Sequence, residues 1–238
     1  VATGFPGFPQ EGIEFLSKLA RNNRREWFQP RKAIFDEKVK QPMRDLVAEV
    51  NRALAAFAPD YVSDPDKAIY RIYRDTRFSS DKTPYKDHIA ASFHRRNAAG
   101  HGDAGYYFAV SHKEVAIGGG IYMPEPQALL AIRNHIAERH HDLRKILAHR
   151  TLKRLLGDLH GEQLSRVPKG FCSDHPAADL LRYKQLFLYV ELPPDLAATP
   201  ALRREIVTRF KAMVPFLNFL TEPLGKSRRK IDARDLIG

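Results

Sequence analysis

Along the first sixty residues the apolar positions recur at helical spacing. Ile13, Phe15, Leu16 and Leu19 form one stripe, and Asn22-Asn23 is a stop signal. Trp27 and Phe28 lead into a longer stripe: Ile34, Phe35, Val39, Met43, Leu46, Val47, Val50, Leu54 and Phe57. Pro42 inside that stripe predicts a kink or a division into two helices, and Pro59 ends it. The period then changes to two. Residues 68–74 alternate, with Ile69, Arg71 and Tyr73 on one face and Tyr70, Ile72 and Arg74 on the other. Strands are expected at 89–94, 106–112 and 114–122, the last two joined by a tight turn at His112-Lys113. The connection 97–105 carries three glycines and reads as a long hairpin loop. Helical spacing returns over 126–139 and continues through Leu143, Ile146 and Leu147, and 151–156 reads as a short basic helix. The run 186–192, apolar from Leu186 to Val190, is expected to be a central strand. A last helix is expected with Thr199 as N-cap and Pro200 at its first position; Leu202, Ile206, Phe210, Met213, Leu217 and Leu220 line one face, and Pro215 bends it.

Strands in succession, flanked by helices, predict an α+β fold. The expected form is a mainly antiparallel sheet of about five strands, flanked by N-terminal and C-terminal helices. A chain of 238 residues with 43% hydrophobic and 28% charged residues suits one domain over 1–224, followed by a basic tail at 225–238. No apolar run is long enough to span a bilayer and the start lacks a secretory pattern, so a cytoplasmic protein without a membrane partner is expected. The single cysteine, Cys172, excludes an intrachain disulfide and a cysteine zinc cluster. His140 and His141 are neighbours, so on a regular helix they point in different directions. No HExxH pair is present, and no metal site is expected.

The net charge of +11 points to anionic partners: an anionic small molecule, or nucleic acid. The densest segment is Arg71 to Lys86, which holds Arg71, Arg74, Arg77, Lys82 and Lys86 against only Asp75 and Asp81. Arginine matches phosphate with paired hydrogen bonds and lysine adds a mobile charge, so Arg74, Arg77, Lys82 and Lys86 are candidate anion ligands. The competing reading pairs Arg74 with Asp75 or Asp81. Gly118-Gly119-Gly120 ends a strand ahead of a helix, where backbone N–H groups can meet an anion or another backbone can approach closely. In the polar loop 168–176, Lys169 is a further candidate ligand, and Asp174 and His175 are acid/base candidates for any chemistry. Asp174 can instead cap the next helix. Asp75, Asp81 and Asp174 offer oxygen ligands for a divalent ion, though no spacing singles them out. Residues 143–156 mix apolar positions with Arg144, Lys145, Arg150, Lys153 and Arg154, a face that suits nucleic acid. Tyr106 and Tyr107 can stack bases, but no RNP-like pattern surrounds them.

Several motifs occur together and in order. They are Phe5-Pro6-Gly7-Phe8; Asn22-Asn23 through Glu26-Trp27-Phe28; Arg77-Phe78-Ser79 with Asp81-Lys82-Thr83-Pro84-Tyr85-Lys86; Gly105-Tyr106-Tyr107; Gly118-Gly119-Gly120 with Met123-Pro124; and Lys169-Gly170 with Asp174-His175-Pro176. In this the chain resembles the conserved-hypothetical family called domain of unknown function 2461, from about Phe5 to Leu224. The resemblance implies that the three motif regions belong to one fold, and it brings no activity with it. It also implies that Cys172 stands where the family carries a polar or acidic residue, which weakens a cysteine nucleophile, and that the basic tail lies outside the shared region. The expected function is binding of a phosphate-bearing or other anionic ligand at the Arg/Lys-rich loop. A nucleic-acid-binding or nuclease-like module, and a partner-binding domain without catalysis, are the alternatives.

Overall fold

The computed structural model describes residues 4–77, 79–95 and 103–225. The basic tail beyond Gly225 and most of the 97–105 connection lie outside them.

Helix α1 (Gln10–Arg21) buries Phe15, Leu16 and Leu19. It stops where expected, because the Asn22 side chain turns back to donate to the Lys18 carbonyl at 2.9 Å. Two short turns, α2 (Arg25–Phe28) and α3 (Lys32–Phe35), lead to a π-helical stretch at Asp36–Lys40 and then to α4 (Gln41–Phe57). Pro42 sits in the first turn of α4, where its missing N–H costs nothing, so the division falls just ahead of it. The π turn absorbs the change of phase and leaves Phe35, Val39 and Met43 all buried. Asp64 caps the short α5 (Pro65–Ala68), its carboxylate accepting from the Asp66 and Lys67 amides.

Strands β1 (His88–His94), β2 (Gly105–Ser111) and β3 (Val115–Ile121) form an antiparallel meander. Then come α6 (Pro126–Leu147), α7 (Arg150–Leu156) and α8 (Ala178–Leu181). Strand β4 (Leu186–Leu192) adds antiparallel to β3 at the edge of the sheet, not at its centre as its apolar run suggested, and α9 (Ala201–Thr221) closes the described fold. Among the described residues the sheet has four strands in the order β1-β2-β3-β4, not five. Residues 68–74 do not become the fifth because their backbone bonds go to two partners: the Tyr70 amide donates to Ala90 of β1, while Arg74 and Ile72 bond to Pro84 and Lys86. Isolated bridges at Ile69–Ala91 and Tyr73–Tyr85 are all that results.

Alternation sets the two faces of the sheet apart. Phe93, Tyr106, Phe108, Ile117 and Leu188 belong to the main core, which also includes residues of α1, α4, α6, α7 and α9. Helix α9 lies on this face, with Leu202, Ile206, Phe210, Met213, Leu217 and Leu220 fully buried; α4, α6 and α7 pack against α9. Each such side chain contributes about 1.5–3 kcal/mol of burial before its entropy is set against it. On the opposite face Ala90, Ala109 and Ala116 form a separate small cluster with Tyr107 and Tyr189, to which no helix contributes among the described residues. Two local expectations are corrected. Thr199 does not cap α9: its hydroxyl donates back to the Leu196 carbonyl at 2.9 Å, which leaves Pro200 as the flanking residue. Helix α6 is not regular, because Arg139 leaves helical geometry (φ −124°, ψ 31°), and this brings the His140 and His141 rings to 4.0 Å between centroids instead of splaying them. Among the described residues no helix is long and apolar enough to cross a membrane.

Candidate functional site

A cleft of about 550 Å³ opens where the 74–88 segment meets the end of α1. Ala20, Asn23, Arg74, Asp75, Asp81, Thr83, Tyr85, Lys86, Asp87 and His88 line it. The Asn23 side chain anchors one wall by mimicking a strand partner: it donates to the Tyr85 carbonyl at 2.8 Å and accepts from the Tyr85 amide at 3.0 Å. The Tyr85 ring is buried and stacks on Phe28 at 4.2 Å, so the segment is fixed to the core from beneath.

The cations of this segment are not equivalent. Arg74 pairs with Asp81 and donates to the Thr83 hydroxyl at 2.8 Å. Arg77 grips Asp75 with two bonds of 3.0 and 2.7 Å. That grip, helped by the Arg77 amide, holds the Asp75 carboxyl down at about 2. Hydrogen bonds from Thr83 and Arg74 likewise keep Asp81 below the usual carboxylate range. The Lys82 ammonium donates to the Thr76 carbonyl at 2.9 Å. Lys86 differs: its ammonium lies 5.0 Å over the Tyr70 ring, and among the described residues no carboxylate lies within ion-pair distance of it. Burial, joined by the neighbouring Arg71 charge, lowers its pKa from the ordinary lysine value. Asp87 and His88 add a carboxylate–imidazole contact of 3.2 Å that the sequence reading missed, with Lys113 on the other carboxylate oxygen at 3.3 Å. Burial works against the Asp87 charge, but these two partners hold its pKa low.

Gly118, Gly119 and Gly120 are spent on the fold. They lie in β3, paired on both sides to β2 and β4, so their amides belong to the ladder and not to an anion nest. No helix follows directly; α6 begins at Pro126. A side chain at Gly118 would come within 2.6 Å of the Leu188 carbonyl and 3.2 Å of the Tyr189 ring. Gly120, at φ 140°, would collide with the β4 backbone.

The 168–176 loop is a separate place. Lys169 is exposed at a turn closed by the Phe171 amide on the Pro168 carbonyl. Asp174 hydrogen-bonds the Cys172 thiol and pushes that thiol's pKa up, the opposite of an activated nucleophile. Asp174 therefore faces Cys172 and does not cap α8. It is His175 that accepts the Ala177 amide, through Nδ1 at 3.0 Å. The His175 ring lies 5.8 Å from His140, beside Arg144, which grips Asp179 and the Pro176 carbonyl. None of the described hydrogen bonds, ion pairs or ring contacts links this loop to the cleft or to Gly118. Among the described residues no three His, Cys, Asp or Glu side chains are arranged to hold a metal, so Asp75, Asp81 and Asp174 do not form a cation site. On the basic face at 143–156, Arg144 is engaged with Asp179 and Lys153 with Asp158.

Fold and site together define an α+β protein: a four-stranded antiparallel sheet with helices on one face among the described residues and a mixed-charge cleft at the β1 end. The chain belongs to the conserved hypothetical protein family DUF2461, whose model matches residues 11–219. No curated protein and no solved structure matches it.

Proposed function

We propose that the protein binds a phosphate-bearing or other anionic ligand in the cleft beside β1, with Lys86 as the principal contact. The observation that supports this is the state of Lys86: a partly buried ammonium, pressed by Arg71 and without a carboxylate partner among the described residues. An anion there relieves the repulsion between two cations and restores to Lys86 the solvation that burial removed. Arg74 and Lys82, each already bonded within the loop, act as supporting donors; Arg77 is committed to Asp75 and shapes the loop. Asp87 and His88 stand at the same cleft as the acid/base pair nearest to a bound ligand.

The test is thermal melting of the full chain with orthophosphate, ribose 5-phosphate, polyphosphate and nucleotides, for wild type and Lys86→Met. A ligand at a hundred times its Kd stabilises by about 2.7 kcal/mol, a shift of several degrees for a chain of this size. A shift with at least one phosphorylated compound that disappears in Lys86→Met is the expected result. No shift with any of them, or an undiminished shift in the variant, overturns the reading.

A further inference from the structure

A second hollow, of about 260 Å³, lies where the end of α6, the chain leaving α7 and helix α8 meet. Gly157 turns the chain out of α7 at φ 74°, and the segment after it is laced to the run that leads into β4. His160 exchanges two backbone bonds with Phe187, at 2.8 and 3.1 Å, and the Leu164 amide donates to the Arg182 carbonyl at 2.8 Å. Main-chain bonds thus hold this wall in place before any ligand arrives. Leu147, Leu159 and Leu180 give the hollow an apolar side; Leu180 is buried and the other two are half-buried.

Arg182 also lines the hollow. Among the described residues four arginines have a buried Nε without an acceptor: Arg133, Arg182, Arg203 and Arg209. Three of them are held all the same. Arg133 donates to the Tyr183 carbonyl, Arg203 pairs with Glu49, and Arg209 pairs with Glu205. No hydrogen bond or ion pair among the described residues joins the Arg182 side chain. The two carboxylates that line the hollow serve other cations. Asp179 is gripped by Arg144 through both oxygens, at 2.7 and 3.2 Å, and Asp158 pairs with Lys153 at 3.3 Å. A half-buried guanidinium without an acceptor is a state that folded proteins seldom leave unfilled.

We infer that this hollow binds a small carboxylic acid with an apolar body, its carboxylate on Arg182 and its hydrocarbon against Leu147, Leu159 and Leu180. A guanidinium offers paired donors at the spacing of the two carboxylate oxygens, and the terminal nitrogens of Arg182 make the contact because Nε is sealed from solvent. Asp158 and Asp179 already hold cations, so an ammonium group gains little here. The volume falls below the roughly 300–1,000 Å³ of pockets for larger ligands, which limits the acid to a short chain. This hollow shares no lining residue with the cleft beside β1, and the inference does not rest on the function proposed there.

The experiment is a saturation-transfer NMR titration of the full chain with isocaproate, isocaproamide, isoamylamine and acetate, using wild type, Arg182→Met, Gln163→Glu and Lys86→Met. Isocaproate should bind about tenfold or more tighter than its amide, the amine or acetate. Arg182→Met should erase the margin over the amide. If that variant fails to fold, Gln163→Glu takes its place: it sets a negative charge at an exposed position of the same hollow, and should weaken the acid while leaving the amide unmoved. Lys86→Met should change none of the affinities. Equal binding of acid and amide, tighter binding of the amine, or an acid affinity indifferent to both Arg182→Met and Gln163→Glu overturns the inference. Loss of acid binding in Lys86→Met also overturns it, and moves the acid to the cleft beside β1. Absence of acid binding overturns it and leaves the cleft reading, which is tested with phosphates, untouched.

Discussion

Tyr106 and Tyr107 are neighbours in β2 and live on opposite sides of the sheet. Tyr106 stacks on Phe210 at 4.5 Å, meets Tyr61 edge-on and is 1% exposed. Tyr107 looks the other way, onto a floor of alanines and a glycine, with Tyr70 and Tyr189 as company. Burial raises the pKa of both hydroxyls well above the tyrosine norm, so both stay protonated. The difference lies in what covers them. On one face a whole helix is dedicated to sealing the aromatic layer. On the other, Ala90, Ala109 and Ala116 lie buried beneath the Tyr107 and Tyr189 rings, with no helix over them among the described residues. Two adjacent residues of one strand, Tyr106 buried and Tyr107 half-buried, therefore have different surroundings, set by what each ring packs on.

Substitutions can break this comparison. Phe210→Ala removes the ring that Tyr106, Phe93 and Phe108 pack on, and should cost about 3–5 kcal/mol in urea unfolding. Tyr189→Leu on the open face should cost about 1 kcal/mol or less by the same measurement. Equal losses would mean that the open face is core after all. Gly118→Ala falls between them: its methyl group must displace the Leu188 carbonyl or the Tyr189 ring, so a loss of about 1–3 kcal/mol is expected. The smallest effect concerns protons and belongs to the helix side. Burial, with the His141, His175 and Arg144 charges, lowers the pKa of His140 below the ordinary 6.5. The folded state thus holds this proton less well than the unfolded chain. The contribution of His140 to stability is complete above pH 6.5 and drains away as the pH falls from there towards the lowered folded value. His140→Gln should flatten the loss of stability below pH 6.5, as read by urea midpoints on either side of it.

Much of the fold was legible in the sequence because it is written in periodicity. The α9 stripe from Leu202 to Leu220, the three strands of the meander and the run at Leu186–Leu192 all emerge where spacing places them. The fifth strand was not, because alternation at 68–74 says which residues share a face and nothing about how many partners will share the backbone bonds. The candidate site was legible as composition, and its pairing only in part: Arg74 with Asp81 was one of the readings, Arg77 with Asp75 was not. Charge count cannot tell that Arg74 and Arg77 are taken by Asp81 and Asp75 while Lys86, nine or more residues on, has an aromatic ring for a partner. The anchor of the cleft, Asn23 on Tyr85, spans 62 residues and has no local signature. His88 beside Asp87 was visible as a dipeptide and lacked only a reason to notice it. Local pattern likewise suggested a side-chain cap at α8 that is not there: Asp174 turns to the Cys172 thiol, and His175 accepts the Ala177 amide ahead of the helix.

The π turn at Asp36–Lys40 has a consequence for how this chain tolerates changes in length. An i→i+5 turn stores one residue more than an α turn, and the spare residue keeps Phe35 in line with Val39 and Met43. Deleting a single residue within this turn would let the stretch relax into plain α-helix with its flanks nearly in phase, whereas the same deletion inside the regular α4 would swing everything before it by about 100° around the helix axis. In that second case Phe35 would leave the aromatic cluster it shares with Phe15 and Phe28, and through Phe28 the support under Tyr85 would go with it. The turn therefore works as slack in the chain: one residue can be lost there, and not a few positions later, without unseating the wall of the cleft.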